Sequence, residues 1–197
     1  MFNLKENEIL VLRTCDENMQ GYGGFQWPKN GRVEAPDWDG SPECGGGLHG
    51  LPKGVGSAAY LNHSATNWLL VKVDIADGYI EFDGKCKFRG GEVVFAGAQV
   101  DAIKLLQEQY PSEAVVCGTA TAGYEGTATA GDRGTATAGN CGTATAGENG
   151  VLVIGYMDNA KYRRAVAVVD GENIKPNTPY RCVNGEFVEV KEGWETV

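Results

Sequence analysis

Gly118-Thr-Ala-Thr-Ala-Gly-Tyr-Glu-Gly-Thr-Ala-Thr-Ala-Gly-Asp-Arg-Gly-Thr-Ala-Thr-Ala-Gly-Asn-Cys-Gly-Thr-Ala-Thr-Ala-Gly-Glu-Asn-Gly150 decides the fold of this chain. Copies of Gly-Thr-Ala-Thr-Ala-Gly start at Gly118, Gly126, Gly134 and Gly142, each eight residues after the last, and only the pairs between them vary. A strict short period marks a stack of like units. Along an extended strand, neighbouring side chains point to opposite faces. Thr-Ala-Thr-Ala therefore sends both threonines one way and both alanines the other. The Gly-x-x-Gly between strands is a turn, where glycine relieves the steric limits.

Two architectures satisfy the pattern. In a β-solenoid, two repeats form one flattened coil with alanines inside and threonines outside. In an antiparallel meander, each Gly-x-x-Gly reverses the chain and the alanine face packs on a neighbouring element. The solenoid is favoured, because identical turns suit winding and identical residues stack in ladders. Its core is thin, since each buried methyl contributes well under ~1 kcal/mol. The tract therefore needs Val115-Val116 before it and the strands after Val151 to cover its open edges.

Outward from the repeat, the chain reads as mainly β with one short helix. Residues 1–112 form an α+β domain with Gly/Trp-rich loops, 113–150 the repeat, and 151–197 β-hairpins packing on it. Strand patterns occur at Glu8–Thr14, Trp68–Asp74, Tyr79–Phe82 and Glu92–Phe95, with Asp77-Gly78 and Asp83-Gly84 as hairpin-type turns. Val100, Ile103, Leu106 and Tyr110 recur at helical spacing, and Pro111 stops the helix. After the repeat, one hairpin is expected around Asp158-Asn159 and another at Asn184-Gly185. Residues 21–54 are so dense in Gly, Trp and Pro that no long regular element is expected there.

Seventeen basic against 26 acidic residues give a net charge of −9. A chain so negative, with no basic stripe, is not expected to bind nucleic acid. No apolar run reaches the ~20 residues of a membrane span, and a cytoplasmic protein is expected. Six cysteines lie far apart without a CxxC pair and read as free thiols.

Candidate chemistry sits in the N-terminal part. Phe25, Trp27, Trp38 and Trp68, with Gln26, His49 and Lys53, have the makeup of an aromatic-lined small-molecule pocket. The competing reading makes the tryptophans core. Cys44, His49, His63 and Cys86 are zinc-type ligands, but their spacing fits no standard zinc motif. Gly45-Gly-Gly-Leu-His-Gly50 fits GxGxxG in form, but no strand precedes it and Pro52 breaks any helix after it. No cofactor and no catalytic motif are read.

Gly24-Phe-Gln-Trp-Pro28, Pro36-Asp-Trp38, Cys44-Gly-Gly-Gly-Leu-His-Gly50, the octapeptides and the closing Ile174-Lys-Pro-Asn-Thr-Pro-Tyr-Arg181 with Asn184-Gly-Glu-Phe-Val188 resemble a group of uncharacterised bacteriophage and prophage proteins with a domain of unknown function. The resemblance implies a phage origin and supplies no catalytic residues. The expected function is non-enzymatic binding, with a small nucleotide-like host-defence signal sequestered in the aromatic–glycine part and the repeat serving a homo-oligomer. The alternatives are a structural or protein–protein interaction module, an ice-binding-like Thr-x-Thr surface, and a zinc or thiol enzyme.

Overall fold

A computed structural model describes residues 1–191. The chain is mainly β, with one α-helix among the described residues and three open sheets rather than a closed barrel. It divides into two compact units, Met1–Glu113 and Ala114–Val197. None of its described helices is long and apolar enough to cross a membrane.

The first unit is a seven-stranded antiparallel sheet. Its strands are β1 (Glu8–Cys15), β2 (Gly31–Glu34), β3 (Leu48–Pro52), β4 (Asn67–Asp74), β5 (Tyr79–Phe82), β6 (Lys85–Phe88) and β7 (Gly90–Gly97), ordered β2-β7-β4-β1-β3-β6-β5. β1 and β4 pair along their whole length at the centre. Val11, Cys15, Leu69, Val71 and Val73 fill one face with Trp27 and Phe88. The helix α1 (Gln99–Gln109) follows β7 and packs on β4, burying Ala102, Ile103 and Leu106. Tyr110 ends the helix, and its hydroxyl accepts the Leu10 amide at 2.9 Å.

Three of these strands depart from expectation. β2 and β3 lie inside the stretch expected to be irregular. β3 reaches the sheet centre because Gly50 has no side chain: a Cβ there would stand 2.4 Å from Val11 Cγ1 and 2.6 Å from the Leu12 carbonyl oxygen. β6 carries two lysines, which disguised a strand whose four residues are all buried. Asp83-Gly84 is the tight turn expected, with φ of 49° and 69°, but it joins β5 to β6. Asp77-Gly78 closes no hairpin, because β4 and β5 lie far apart in the sheet order.

The second unit contains β8 (Thr119–Thr121), β9 (Thr127–Thr129), β10 (Thr135–Ala138), β11 (Thr143–Thr145), β12 (Val151–Asp158), β13 (Lys161–Val168), β14 (Tyr180–Val183) and β15 (Glu186–Glu189). β8 pairs in parallel with β10, β10 with β12 and β9 with β11, each two repeats apart, while β11 pairs antiparallel with β14. Thr119 stands beside Thr135 and Thr135 beside Val151, and on the other sheet Thr127 stands beside Thr143. The two resulting sheets are ordered β13-β12-β10-β8 and β15-β14-β11-β9. Antiparallel hairpins finish each one: Asn159-Ala160 turns β12 into β13, one residue later than expected, and Asn184-Gly185 turns β14 into β15. β12 and β14 extend the repeat's own sheets, so the repeat and the hairpins fall within one compact unit.

The alanines carry the core. Ala128, Ala130, Ala136, Ala138, Ala144 and Ala146 are buried together with Leu152, Ile154, Val169, Ile174 and Tyr180. The hairpins thus bring in the large side chains that the repeat lacks. Ile174 is held over this core by a loop built on Asp170: the Asn173 side-chain amide donates to its Oδ2, the amides of Ile174, Glu172 and Asn173 donate to its Oδ1, and these bonds keep its carboxylate well below the usual range.

The turns are alike in a way that glycine alone does not explain. In each, the left-handed residue is the second of the variable pair: Cys117, Glu125, Arg133, Cys141 and Asn149, with φ of 55–59°. Each turn is closed by a bond between its flanking residues, for example Gly134 N to Gly131 O at 3.0 Å. The glycines serve close approach between stacked turns instead. A Cβ on Gly139 would lie 2.6 Å from the Gly123 carbonyl carbon, and one on Gly134 2.8 Å from the Gly118 oxygen.

Substitutions at these two classes of position should therefore move stability in opposite directions. Gly139→Ala forces a side chain into backbone and should cost about 1–3 kcal/mol. Arg133→Asn places a residue tolerant of the left-handed region where a long side chain is strained, and should gain up to about 1 kcal/mol. Chemical denaturation of the full chain measures both.

Candidate functional site

The structure distributes the seven aromatic–glycine candidates instead of lining one pocket with them. Trp27 and Trp68 are core residues, each 1% exposed, as expected of rings that bury large apolar areas. Phe25 packs edge-on against Trp27 at 5.4 Å, and the Arg13 guanidinium lies 4.8 Å over the same indole. Gln26 is spent on the Asn18 carbonyl at 2.9 Å. Lys53 pairs with Glu113 at 2.9 Å. His49 and Trp38 belong to a different neighbourhood.

That neighbourhood is built on β6. Lys85 and Lys87 alternate along β6 and so share one face of the sheet, and Arg89 follows in the bend before β7. Lys85 Nζ lies 4.0 Å over the Tyr60 ring and donates to Cys44 Sγ at 3.0 Å. Lys87 is fully buried; its Nζ donates to the Gly45 carbonyl at 3.2 Å and lies 5.8 Å from the centre of the Trp38 ring. Arg89 covers the same ring at 5.7 Å and pairs with Asp77. Gly47 lets the loop settle on the lysine stem, since a Cβ there would fall 2.7 Å from Lys87 Cγ. His49 stands opposite Lys87 across the β3–β6 pair, with its Nε2 buried and without a protein partner. The signal that could have located this strip is Lys85-x-Lys87-x-Arg89, three cations at alternate positions in an acidic chain.

Burial first, then the nearby Lys85, Arg13 and Lys87 charges, push the His49 pKa below its usual value. Beside this strip a cleft of ≈ 450 Å³ is lined by Pro52, Lys53, Phe82, Asp83, Lys85 and Glu113, with both signs of charge on its walls.

The zinc-type quartet is not gathered. Cys44 is held by Lys85, His63 Nε2 lies 2.9 Å from the Ala58 carbonyl, and Cys86 donates its thiol to the Gly50 carbonyl. Among the described residues no three His, Cys, Asp or Glu side chains converge as a metal site would need. All six cysteines are free thiols. Burial raises Cys15 to about 11 and Cys86 to about 12.

The second candidate site is the outer surface of the repeat. Thr119, Thr121, Thr127 and Thr129 are exposed, and Thr135, Thr137, Thr143 and Thr145 are half-buried between neighbouring rungs. Register aligns them in straight rows on two sheets. Rows lie ~4.8 Å apart across strands and ~6.7 Å apart along them.

Residues 9–108 match the family described as "Domain of unknown function (DUF7666)", and the chain belongs to that family. It is also similar to the ice nucleation protein InaU of Pantoea ananas, 34% identical over 122 residues that cover 61% of this chain and 12% of that protein. An ice nucleation protein of Pseudomonas syringae is 38% identical over 98 residues, covering 49% of this chain and 8% of that protein. The chain therefore spans about a tenth of the length of these relatives. No solved structure matches it. These relatives overturn the expected phage-type, host-defence and nucleotide-sequestering function.

Two measurements test the first unit. In the unfolded chain His49 protonates near 6.5, and in the folded domain only at lower pH. Below ~6.5 the unfolded state thus binds more protons, and stability falls as pH drops. Denaturation midpoints at pH 7.5 and 5.5 should converge more closely in His49→Gln than in the wild type. In timed alkylation followed by mass spectrometry, exposed Cys44 should label early, and Cys15 and Cys86 only on unfolding.

Proposed function

We propose that Ala114–Val197 is an ice-interacting module. The repeat would be a two-coil β-solenoid whose threonine rows hold surface water in a lattice-like spacing. The reading is non-catalytic. The observation that carries it is the register itself: Thr119 and Thr121 lie beside Thr135 and Thr137, so hydroxyls and methyls repeat in two directions on a rigid backbone. The parallel pairing of rungs sixteen residues apart, Thr119 with Thr135, Thr127 with Thr143 and Thr135 with Val151, supports coils over a meander, in which consecutive strands would pair. The similarity to ice nucleation proteins supports the ligand.

Size decides the form of the activity. Each face has only two threonine rungs, so a single molecule templates far too few waters to start freezing at mild supercooling. Adsorption to existing ice asks less, because each row need only match a surface already present. The first coil also leaves a route to larger arrays. Ala120 and Ala122 are part-exposed, whereas their partners Ala136 and Ala138 are closed off at 0% and 2%. A second copy meeting this open end would extend both sheets.

The purified full chain should show measurable thermal hysteresis at high concentration and little elevation of droplet freezing temperature. Ice grown in its presence without hysteresis, faceting or slowed recrystallisation would remove the reading.

A further inference from the structure

We infer that ice contact is confined to one face, the β13-β12-β10-β8 sheet, and that four valines outside the repeat double its size. This inference rests on the ice-interacting reading above. The register carries it. One row runs Thr119, Thr135, Val151, Val168 and the next Thr121, Thr137, Val153, Val166, each residue beside its neighbour across the strands. Alternation turns all eight outward, because Ala136, Leu152 and Ile154 between them are buried in the alanine core and Ala167 packs against it.

Valine and threonine share one branched shape and differ by a methyl in place of a hydroxyl. The surface therefore keeps its relief across the change from repeat to hairpin. It is a plane of eight branched side chains, roughly 14 Å across the strands by the spacing of adjacent strands. Val166 and Val168 are 65% and 58% exposed, values that burial in a core would not leave. An exposed apolar patch on a flat sheet calls for a ligand. Ordered water meets the demand here: methyls on a regular grid favour a caged water layer, and the threonine hydroxyls anchor it to the protein. On β13 the outer row is preceded by Arg164 and Tyr162, which give the patch a polar border beside Val166.

The opposite sheet cannot do the same. Its row of Thr127 and Thr143 runs into Arg181, whose Nε donates to Thr143 Oγ1 at 3.2 Å. A guanidinium bonded to a grid hydroxyl interrupts the plane after two rungs and holds its own hydration.

The test compares two surface double variants of the full chain by partition into growing ice, with circular dichroism confirming the fold. Val166→Lys with Val168→Lys should lower the ice-bound fraction at least tenfold. Thr127→Lys with Thr129→Lys should leave it within twofold of wild type. Val166→Thr with Val168→Thr, which keeps the shape, should retain binding and guards against a loss caused by misfolding. If the first pair binds like wild type while the Thr127/Thr129 pair fails, the face assignment is wrong and the ice reading stands. If wild type itself does not partition into ice, both fall. If wild type is a dimer that Val166→Lys with Val168→Lys makes monomeric while ice partition is unchanged, the valines serve a second copy and the inference is overturned.

Discussion

Everything in the second unit depends on the contact between one rung and the rung sixteen residues later. Alanine and glycine make that contact possible because they have almost no side chain. Alanine lets two sheets close on each other, and glycine lets successive turns lie backbone to backbone. Such a core contributes little apolar area, so the rungs are held together largely by their ladders of hydrogen bonds. The turns take part as well: Asp132 Oδ1 accepts the Glu148 amide from the turn sixteen residues on. The hairpins then supply what small residues cannot, with Leu152, Ile154 and Tyr180 sealing the end of the alanine layer.

This economy explains why the tract was legible in the sequence. A period of eight with two-residue alternation fixes which face each side chain takes, whatever packs around it. Val151 and Tyr180 were also readable as strand starts, and Asn184-Gly185 as a turn. What alternation alone left open was the partner of each rung, because a strand of Thr-Ala-Thr is equally content beside a parallel or an antiparallel neighbour. The left-handed turn residues were hidden for a related reason: nothing in Glu125, Arg133 or Cys141 announces the positive φ that the repeat's tight turns impose.

The first unit was less legible because its rules are broken where its side chains matter most. Lys85 and Lys87 look like solvent-facing residues, and both are buried beneath a glycine-rich loop with aromatic rings and carbonyls as partners. The Gly/Trp-rich stretch 21–54 offered Trp27, Trp38 and His49 as part of a pocket, and the sheet sent Trp27 into the core instead. The direction of these rings depends on β2 and β3, short strands that the density of glycine concealed. The strip of cations around His49 defines this family member's most unusual chemistry, and it sits in the unit that the family match covers.

The central claim is that residues sixteen apart, and not eight apart, are neighbours in the folded repeat. Nuclear Overhauser contacts in a uniformly labelled full-length sample test it most directly. The account predicts cross-strand contacts from the Ala136 backbone to the backbones of Ala120 and Leu152. Backbone ladder contacts from Ala136 to Ala128 and Ala144 in their place would contradict it.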